Sequence, residues 1–227
     1  MNTDEILQKL DQLIESRSIL RHPFYIAWQK GKLSWEQLAT YARVYYPHVA
    51  AFPRYLKSAC DNSADSVIRT ELERNLVDEI SYPKPHPELW LDFAESLGLD
   101  KSLVARSTAH QAASNIVKTF NGLSKKETIA ALAALYAYES QQPEVSRQKS
   151  NGLRQYYGID DRKALAYFEV HAQADIEHGD GERKAIQRCL EQGSSEKTLF
   201  TAADEALDAY WGLLDGICEE AEIPVEC

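Results

Sequence analysis

The sequence predicts an all-α fold. Alanine, leucine, glutamate and glutamine are common while valine and isoleucine are thin, a balance that favours helix over strand. Apolar residues recur three and four apart, and no stretch alternates apolar and polar residues as a half-buried strand does. No internal repeat or low-complexity linker divides the chain. With 227 residues it can bury a core without staples, and residues 1–227 read as a single helical domain.

Taken in order, residues 3–16 form a first helix with Leu7, Leu10 and Ile14 on one side. The segment HPFYIAW (22–28) leads into a short second helix, and KGKLS breaks it. Ser34 then caps a long helix to about residue 58, with Gln37 at the capping-box position. Leu38, Tyr41, Tyr45, His48, Phe52 and Leu56 carry its pattern; Pro47 and Pro53 lie inside it and should bend it. Residues 64–79 make a further helix ending near SYPKPHP, and 87–97 a short one stopped by Gly98. Residues 101–120 read as continuous helix up to Asn121-Gly122. Ser124 and Glu127 form a second capping box, opening a helix to about residue 145. That helix is almost uncharged between Glu127 and Glu139 and so belongs at the centre of a bundle. After a turn at Tyr157-Gly158, residues 161–178 are helical, Gly179-Asp180-Gly181 breaks the run, and helix resumes to about 191. A last helix spans roughly 195–220.

Composition narrows the function. A formal net charge of -10 and a pI near 5.1 make a surface that repels phosphate backbones and anionic membranes, so no nucleic-acid partner is expected. No run of 18 apolar residues exists, so no membrane span is expected. The acidic start MNTDEILQKL is unlike a signal peptide, which implies a cytoplasmic protein. Cys60, Cys189, Cys218 and Cys227 contain no metal-type pair and read as reduced thiols; Cys227, at the end, is a candidate for oxidation.

The run YFEVHAQADIEHGDGE carries the strongest chemical signal. His171, Asp175 and His178 follow one another at four and three residues, which places all three on one face of a helix. Two imidazoles and a carboxylate so aligned suit a divalent metal. They would equally line a solvated face or satisfy one another in a core. Glu139 lies within the apolar helix after about ten uncharged residues, where a carboxylate must be exposed, paired or metal-bound, because bare burial is costly. Arg147 and Lys149 are its candidate partners. Glu79 and His86 are two helical turns apart, but Pro83 and Pro85 intervene; a bent helix would aim both inward, and a surface loop would leave His86 outside. Together these make three carboxylates and three imidazoles. Mixed oxygen and nitrogen donors without thiolates favour iron or manganese, and zinc accepts the same set. Tyr41, Tyr45 and Tyr46 share one helix, and Tyr136 and Tyr138 flank Glu139. Tyrosines can relay electrons to an oxidised metal, though most are packing residues.

Four stretches, HPFYIAWQKGKLSWEQLATYARVYYPHVAAFPRYLKSA, LVDEISYPKPHPELW, AALYAYESQQPEVSRQKSNGL and YFEVHAQADIEHGDGE, span most of residues 20–185. In composition and in internal spacing they resemble the family of the Chlamydia protein associating with death domains, within the heme-oxygenase-like superfamily that also holds TenA and PqqC. The resemblance implies a seven-helix bundle around a dimetal centre (Fe/Fe or Fe/Mn, without heme) with ligands at Glu79, His86, Glu139, His171, Asp175 and His178. It implies 4-aminobenzoate formation for folate synthesis in an oxygen-dependent, self-sacrificing reaction that also needs a reductant. The ring donor falls on Tyr25, the amino donor on Lys149, and Tyr41 matches a tyrosine near the site that could relay an electron. Read without the resemblance, Tyr25 is a packing residue and Lys149 a surface lysine.

Other functions compete. A multiple-turnover dimetal oxygenase would use the same ligands on an external substrate. A heme enzyme would need a proximal ligand such as His22, and a thiaminase-like hydrolase would need an activated cysteine, for which Cys60 and Cys189 lack the setting. An interaction protein would use the acidic surface. Long amphipathic helices and the commonness of closed dimers point to a homodimer.

Overall fold

A computed structural model describes residues 2–81 and 83–224. Cys227 lies outside them. Helix starts are set by side chains that satisfy the first free backbone N–H groups. Asn2 and Glu5 cap helix α1 (Thr3–Ser16) reciprocally. His22 caps α2 (Pro23–Gln29), its Nδ1 accepting from the Phe24 N–H at 3.1 Å. Ser34 and Gln37 form the expected capping box of α3 (Trp35–Asn62), with bonds of 3.1 and 2.9 Å. Both prolines are held inside α3, each removing one backbone hydrogen bond without ending it. Helices α4 (Ser66–Ser81) and α5 (His86–Ser96) follow, the second opening directly after Pro85.

The next region departs from the sequence reading. Residues 101–120 are two helices, α6 (Lys101–Arg106) and α7 (Gln111–Leu123). Ser107 turns extended, and His110 caps the new start by accepting from the Ala112 N–H at 3.2 Å. The second capping box does not form. Ser124 instead closes α7 through its own N–H to Phe120, and Glu127 opens α8 (Thr128–Glu139) without a side-chain bond. Nor does α8 run to residue 145. It ends at Glu139, and α9 (Gln142–Tyr157) begins with Pro143 in its first turn, where a missing N–H costs nothing. Gly158, with φ +65°, closes α9 in the left-handed conformation.

The largest correction is at Gly179-Asp180-Gly181. Helix α10 (Arg162–Glu191) passes through it unbroken. A glycine inside a helix costs only about 1 kcal/mol, and close packing recovers it. A Cβ on Gly179 would lie 3.7 Å from the Ser140 backbone, and one on Gly181 would lie 3.2 Å from the Glu71 carboxylate. The missing side chain at Gly181 leaves room for the Glu71 carboxylate of α4, while at Gly179 an added Cβ would make only ordinary contact. Helix α11 (Glu196–Glu220), capped by Ser195, completes the chain. The described residues thus form eleven α-helical segments and no strand, nine of the segments eleven residues or longer, where the resemblance implied seven helices.

Every residue of α8 from Ile129 to Glu139 is buried, as its uniform apolarity predicts. It packs against α11, α10 and α3, and α10 in turn packs against α9, α5 and α4. The crossing of α11 with α7 depends on Gly216, where an added Cβ would meet the Ala112 Cβ at 2.3 Å. Gly216→Ala is therefore expected to cost about 1–3 kcal/mol. Gly212 sits on the same helix with nothing within 4 Å of an added Cβ. There, Gly212→Ala is expected to add up to about 1 kcal/mol through helix propensity. Urea unfolding of the two variants checks this; equal effects would remove the close-approach explanation. Among the described residues, no helix is long and apolar enough to cross a membrane.

Candidate metal centre

Four helices bring the donor side chains together. Glu79 stands in the last turn of α4, His86 is the first residue of α5, and Glu139 is the last residue of α8. Helix α10 supplies His171, Asp175 and His178 from its buried face. The Glu79 and His86 side chains meet despite the prolines between them. All six are buried. They form two groups rather than one: Glu79, His86 and His171, then Glu139, Asp175 and His178, each with donor atoms within 4.8 Å of one another. The three residues on α10 are thus shared between two positions, with His171 in one group and Asp175 and His178 in the other.

Ring orientation is set from outside the donor groups. His171 Nδ1 donates to the Tyr167 carbonyl of the preceding turn at 2.7 Å, which turns Nε2 toward Glu79 Oε1, 3.6 Å away. His178 Nε2 donates to Asp78 Oδ2 at 3.1 Å, which turns Nδ1 toward Asp175 (3.3 Å) and Glu139 (3.5 Å). Such partners fix the tautomer and aim the free nitrogen. His86 Nδ1 lies 2.8 Å from Glu79 Oε1. Asn75 donates its amide to both Glu139 oxygens at 3.0 Å.

The electrostatics are strained. Burial opposes ionisation of Glu79, but hydrogen bonds from His171 and His86 outweigh it and hold the carboxyl down at about 2. Burial likewise opposes charge on His171, yet the nearby Asp175 and Glu79 raise it to about 9. His178, buried but between Asp175 and Glu139, is raised to about 11. Asp175 is raised, chiefly by burial. Both Asp175 oxygens and His178 Nδ1 are buried without a hydrogen-bond partner. Buried polar atoms are normally satisfied, so orphaned oxygen and nitrogen donors converging on one point fit a cation. Asp92 on α5 shows the contrast: it is equally buried, but Lys84, Lys101 and Lys163 pair with it.

Arg147 and Lys149 are not partners of Glu139. Arg147 pairs with Glu144 on the surface. Lys149 is 1% exposed and enters no ion pair among the described residues; it is a core residue, contrary to its surface reading. Its Nζ lies 5.2 to 5.4 Å from the ring centres of Tyr25, Tyr45 and Tyr41, and 5.9 Å from Trp90. Burial alone pushes its pKa well below the usual lysine value, favouring the neutral amine. Tyr25 and Tyr41 are fully buried, their hydroxyls without a hydrogen-bond partner, and burial above all raises both phenols. Ring contacts connect this chamber to the donors. Tyr167 packs on His171 (4.0 Å between centres), Trp90 on Tyr167 (4.8 Å), Tyr45 on Trp90 (4.9 Å) and Tyr41 on Tyr45 (5.2 Å).

Three residues around the site escaped the sequence reading: Asn75, Asp78 and Glu182. Glu182 continues the inward stripe four residues beyond His178, past a glycine pair that in the sequence resembles a break. The rival ligands fare differently. His22 uses one nitrogen to cap α2 and holds the other 3.1 Å from Asp215. Cys60 and Cys189 are raised to about 11 by burial, the reverse of an activated thiol.

Fold and donors together define a helical bundle built around two clusters suited to a dimetal site. Comparison with known proteins agrees. Residues 39–211 match the model of a family described as iron-containing redox enzymes. The chain is 39% identical to a 4-aminobenzoate synthase of Nitrosomonas europaea over 96% of its length and 93% of the relative's. It is 37% identical to a 4-aminobenzoate synthase of Chlamydia pneumoniae, covering 97% and 98%. In fold it matches a TenA homologue from Pseudomonas syringae pv. tomato, with a TM-score of 0.79 at 19% identity over 96% and 93% of the two chains. The chain belongs to the iron-containing redox enzyme family of heme-oxygenase-like proteins, and with its two donor groups it is a metal-dependent oxidoreductase.

Proposed function

We propose that the chain is a 4-aminobenzoate synthase that builds its product from its own Tyr25 and Lys149. The observation that carries this is the buried, carboxylate-free setting of Lys149 Nζ among the rings of Tyr25, Tyr41 and Tyr45. Glu79, His86, Glu139, His171, Asp175 and His178 would hold two divalent ions, Fe/Fe or Fe/Mn. When bound, these supply oxygen activation and oxidising equivalents, drawn from O2 and a reductant.

The chain's own residues do the rest. Burial lowers the pKa of Lys149 and so favours a free lone pair on Nζ for attack at the phenolic carbon of Tyr25. The product's ring and carboxyl carbon correspond to the tyrosine ring and its Cβ. The Cα–Cβ bond therefore breaks, and O2 oxidises Cβ to the carboxylate. Cα takes up a hydrogen, which leaves glycine at position 25. At the other end of the ring C–N replaces C–O and the phenolic oxygen leaves as water. Oxidation at Lys149 Cε to the imine and its hydrolysis then break Cε–Nζ and leave an aldehyde, O2 and the reductant's electrons ending as water. Tyr41 lies on the ring path from His171 and would pass an electron toward the donors.

Space alone does not separate this reading from an external substrate, since an open pocket of about 630 Å3 reaches His86 and His178, one from each donor group. The narrow cavity touching both donor groups is lined by Val49, Phe52, Tyr138 and Tyr167 and measures about 10 Å3. That admits about one water-sized molecule and no aromatic ring. Peptide mass spectra after oxygen exposure should show loss at Tyr25 and at Lys149. Unchanged product from Tyr25→Phe would sink the tyrosine assignment.

Metal loading carries its own signature. His171 and His178, at about 9 and about 11, both hold protons at pH 7.5 in the metal-free chain. A metal needs their lone pairs, so loading is expected to release about two protons per chain. Affinity should accordingly fall as pH falls. Calorimetry in two buffers of different ionisation enthalpy measures the release; identical heats would contradict it.

A further inference from the structure

Among the described residues, Glu182 is a buried carboxylate beside the donors with no task assigned so far. It follows His178 by one turn of α10, so His171, Asp175, His178 and Glu182 run down a single inward stripe. It is 3% exposed, and both its oxygens are buried without a hydrogen-bond partner. Its carboxyl meets that of Glu139, and two ionised carboxylates can only accept. Glu139 already takes both amide hydrogens it can reach from Asn75, whose own Oδ1 is buried and unpartnered. No lysine or arginine among the described residues forms an ion pair with Glu139, Asp175 or Glu182. Three carboxylates thus share one imidazole. Beside them lies a cavity of about 40 Å3 whose lining includes Asn75, Asp78, His178, Glu182 and Glu71. This is room for an ion or a water, among oxygen atoms that lack partners.

We infer that Glu182 is a seventh donor of the metal centre, completing the group formed by Glu139, Asp175 and His178. The inference rests on that group being a metal site, as proposed above. It makes the two positions chemically unequal. The Glu79, His86 and His171 group offers one carboxylate and two imidazoles; the other offers three carboxylates and one imidazole. The oxygen-rich position therefore favours the harder ion and carries the charge to neutralise it. The same stripe explains why α10 runs unbroken through Gly179 and Gly181: a helix end there would take Glu182 out of register.

The test is a titration of the metal-free full chain with Co2+ under nitrogen, read by visible absorption and by metal content. The parent should bind two ions. Glu182→Gln, which keeps the shape and removes the charge, should weaken one ion by about tenfold or more and leave the other unchanged. The absorption of the weakened ion should change with its coordination. Glu182→Met is the second variant and should show the same selective loss, so a folding defect in either one does not decide the matter. Both ions within about threefold of the parent would overturn the inference and leave Glu182 a neutral acid hydrogen-bonded to Glu139. His178→Ala separates the two readings. If it keeps both ions, the metal reading of the whole group fails; if it loses one while Glu182→Gln loses none, only the seventh donor falls.

Discussion

Replacing Lys149 with methionine is expected to give a more stable protein that makes no 4-aminobenzoate. The side chain is among the largest fully buried ones in the chain, and no carboxylate pairs with it. An amine so placed costs about 1–3 kcal/mol relative to an apolar group of similar shape, which the methionine, one atom shorter, largely recovers. The sign of the pH effect follows from the direction of the shift. The folded-state pKa is depressed, so between that value and the unfolded value near 10.5 the unfolded chain binds the extra proton. Stability of the parent should rise with pH through this window. The methionine variant lacks that rise, so its advantage is largest at neutral pH and fades toward pH 10.5. Urea unfolding at pH 7 and pH 10, with product quantified after oxygen exposure, reads both halves. Product at the parent's yield would remove Lys149 as amino donor. A loss of stability at neutral pH would remove the claim that its burial is a cost.

Asp175→Asn is expected to have the second large effect, and in opposite senses on metal and on fold. The substitution preserves shape and removes a charge whose two oxygens have no hydrogen-bond partner. Metal content should fall below two ions per chain, and product should fall by more than about 100-fold, since a lost ligand exceeds the usual cost of a lost outer partner. The metal-free protein should unfold at the same temperature or higher, because burial and the nearby Glu139 charge already disfavour the Asp175 carboxylate. Elemental analysis of protein purified under reducing, low-oxygen conditions and a thermal melt of the stripped chain measure the two. Full metal content with lost stability would recast Asp175 as a structural residue.

Local rules in the sequence reach much of this architecture. The capping box at Ser34 and Gln37, the apolar encirclement of α8 and the spacing of His171, Asp175 and His178 all act within a few residues, so they survive without knowledge of the fold. What failed depended on partners distant in sequence. Gly179 and Gly181 look like a break until Ser140 and Glu71 are seen against them. Ser124 looks like a cap until α7 claims it. Lys149 looks like a surface residue because the five rings around it come from α2, α3, α5 and α10. The division of the α10 donors into two groups likewise depends on where Glu79 and Glu139 arrive from other helices. Spacing along α10 alone could not reveal it.

The continuity of α10 also restricts how the gene can change in length. Each residue added to a helix turns everything beyond it by about 100° and advances it by about 1.5 Å. One codon inserted between Asp175 and His178 would swing His178 and Glu182 off the inward face together, while Asp175 stayed in place. Point changes along the outer face of α10 leave the donors aligned. Insertions and deletions between 171 and 182 do not, so this stretch should vary by replacement while its length holds constant.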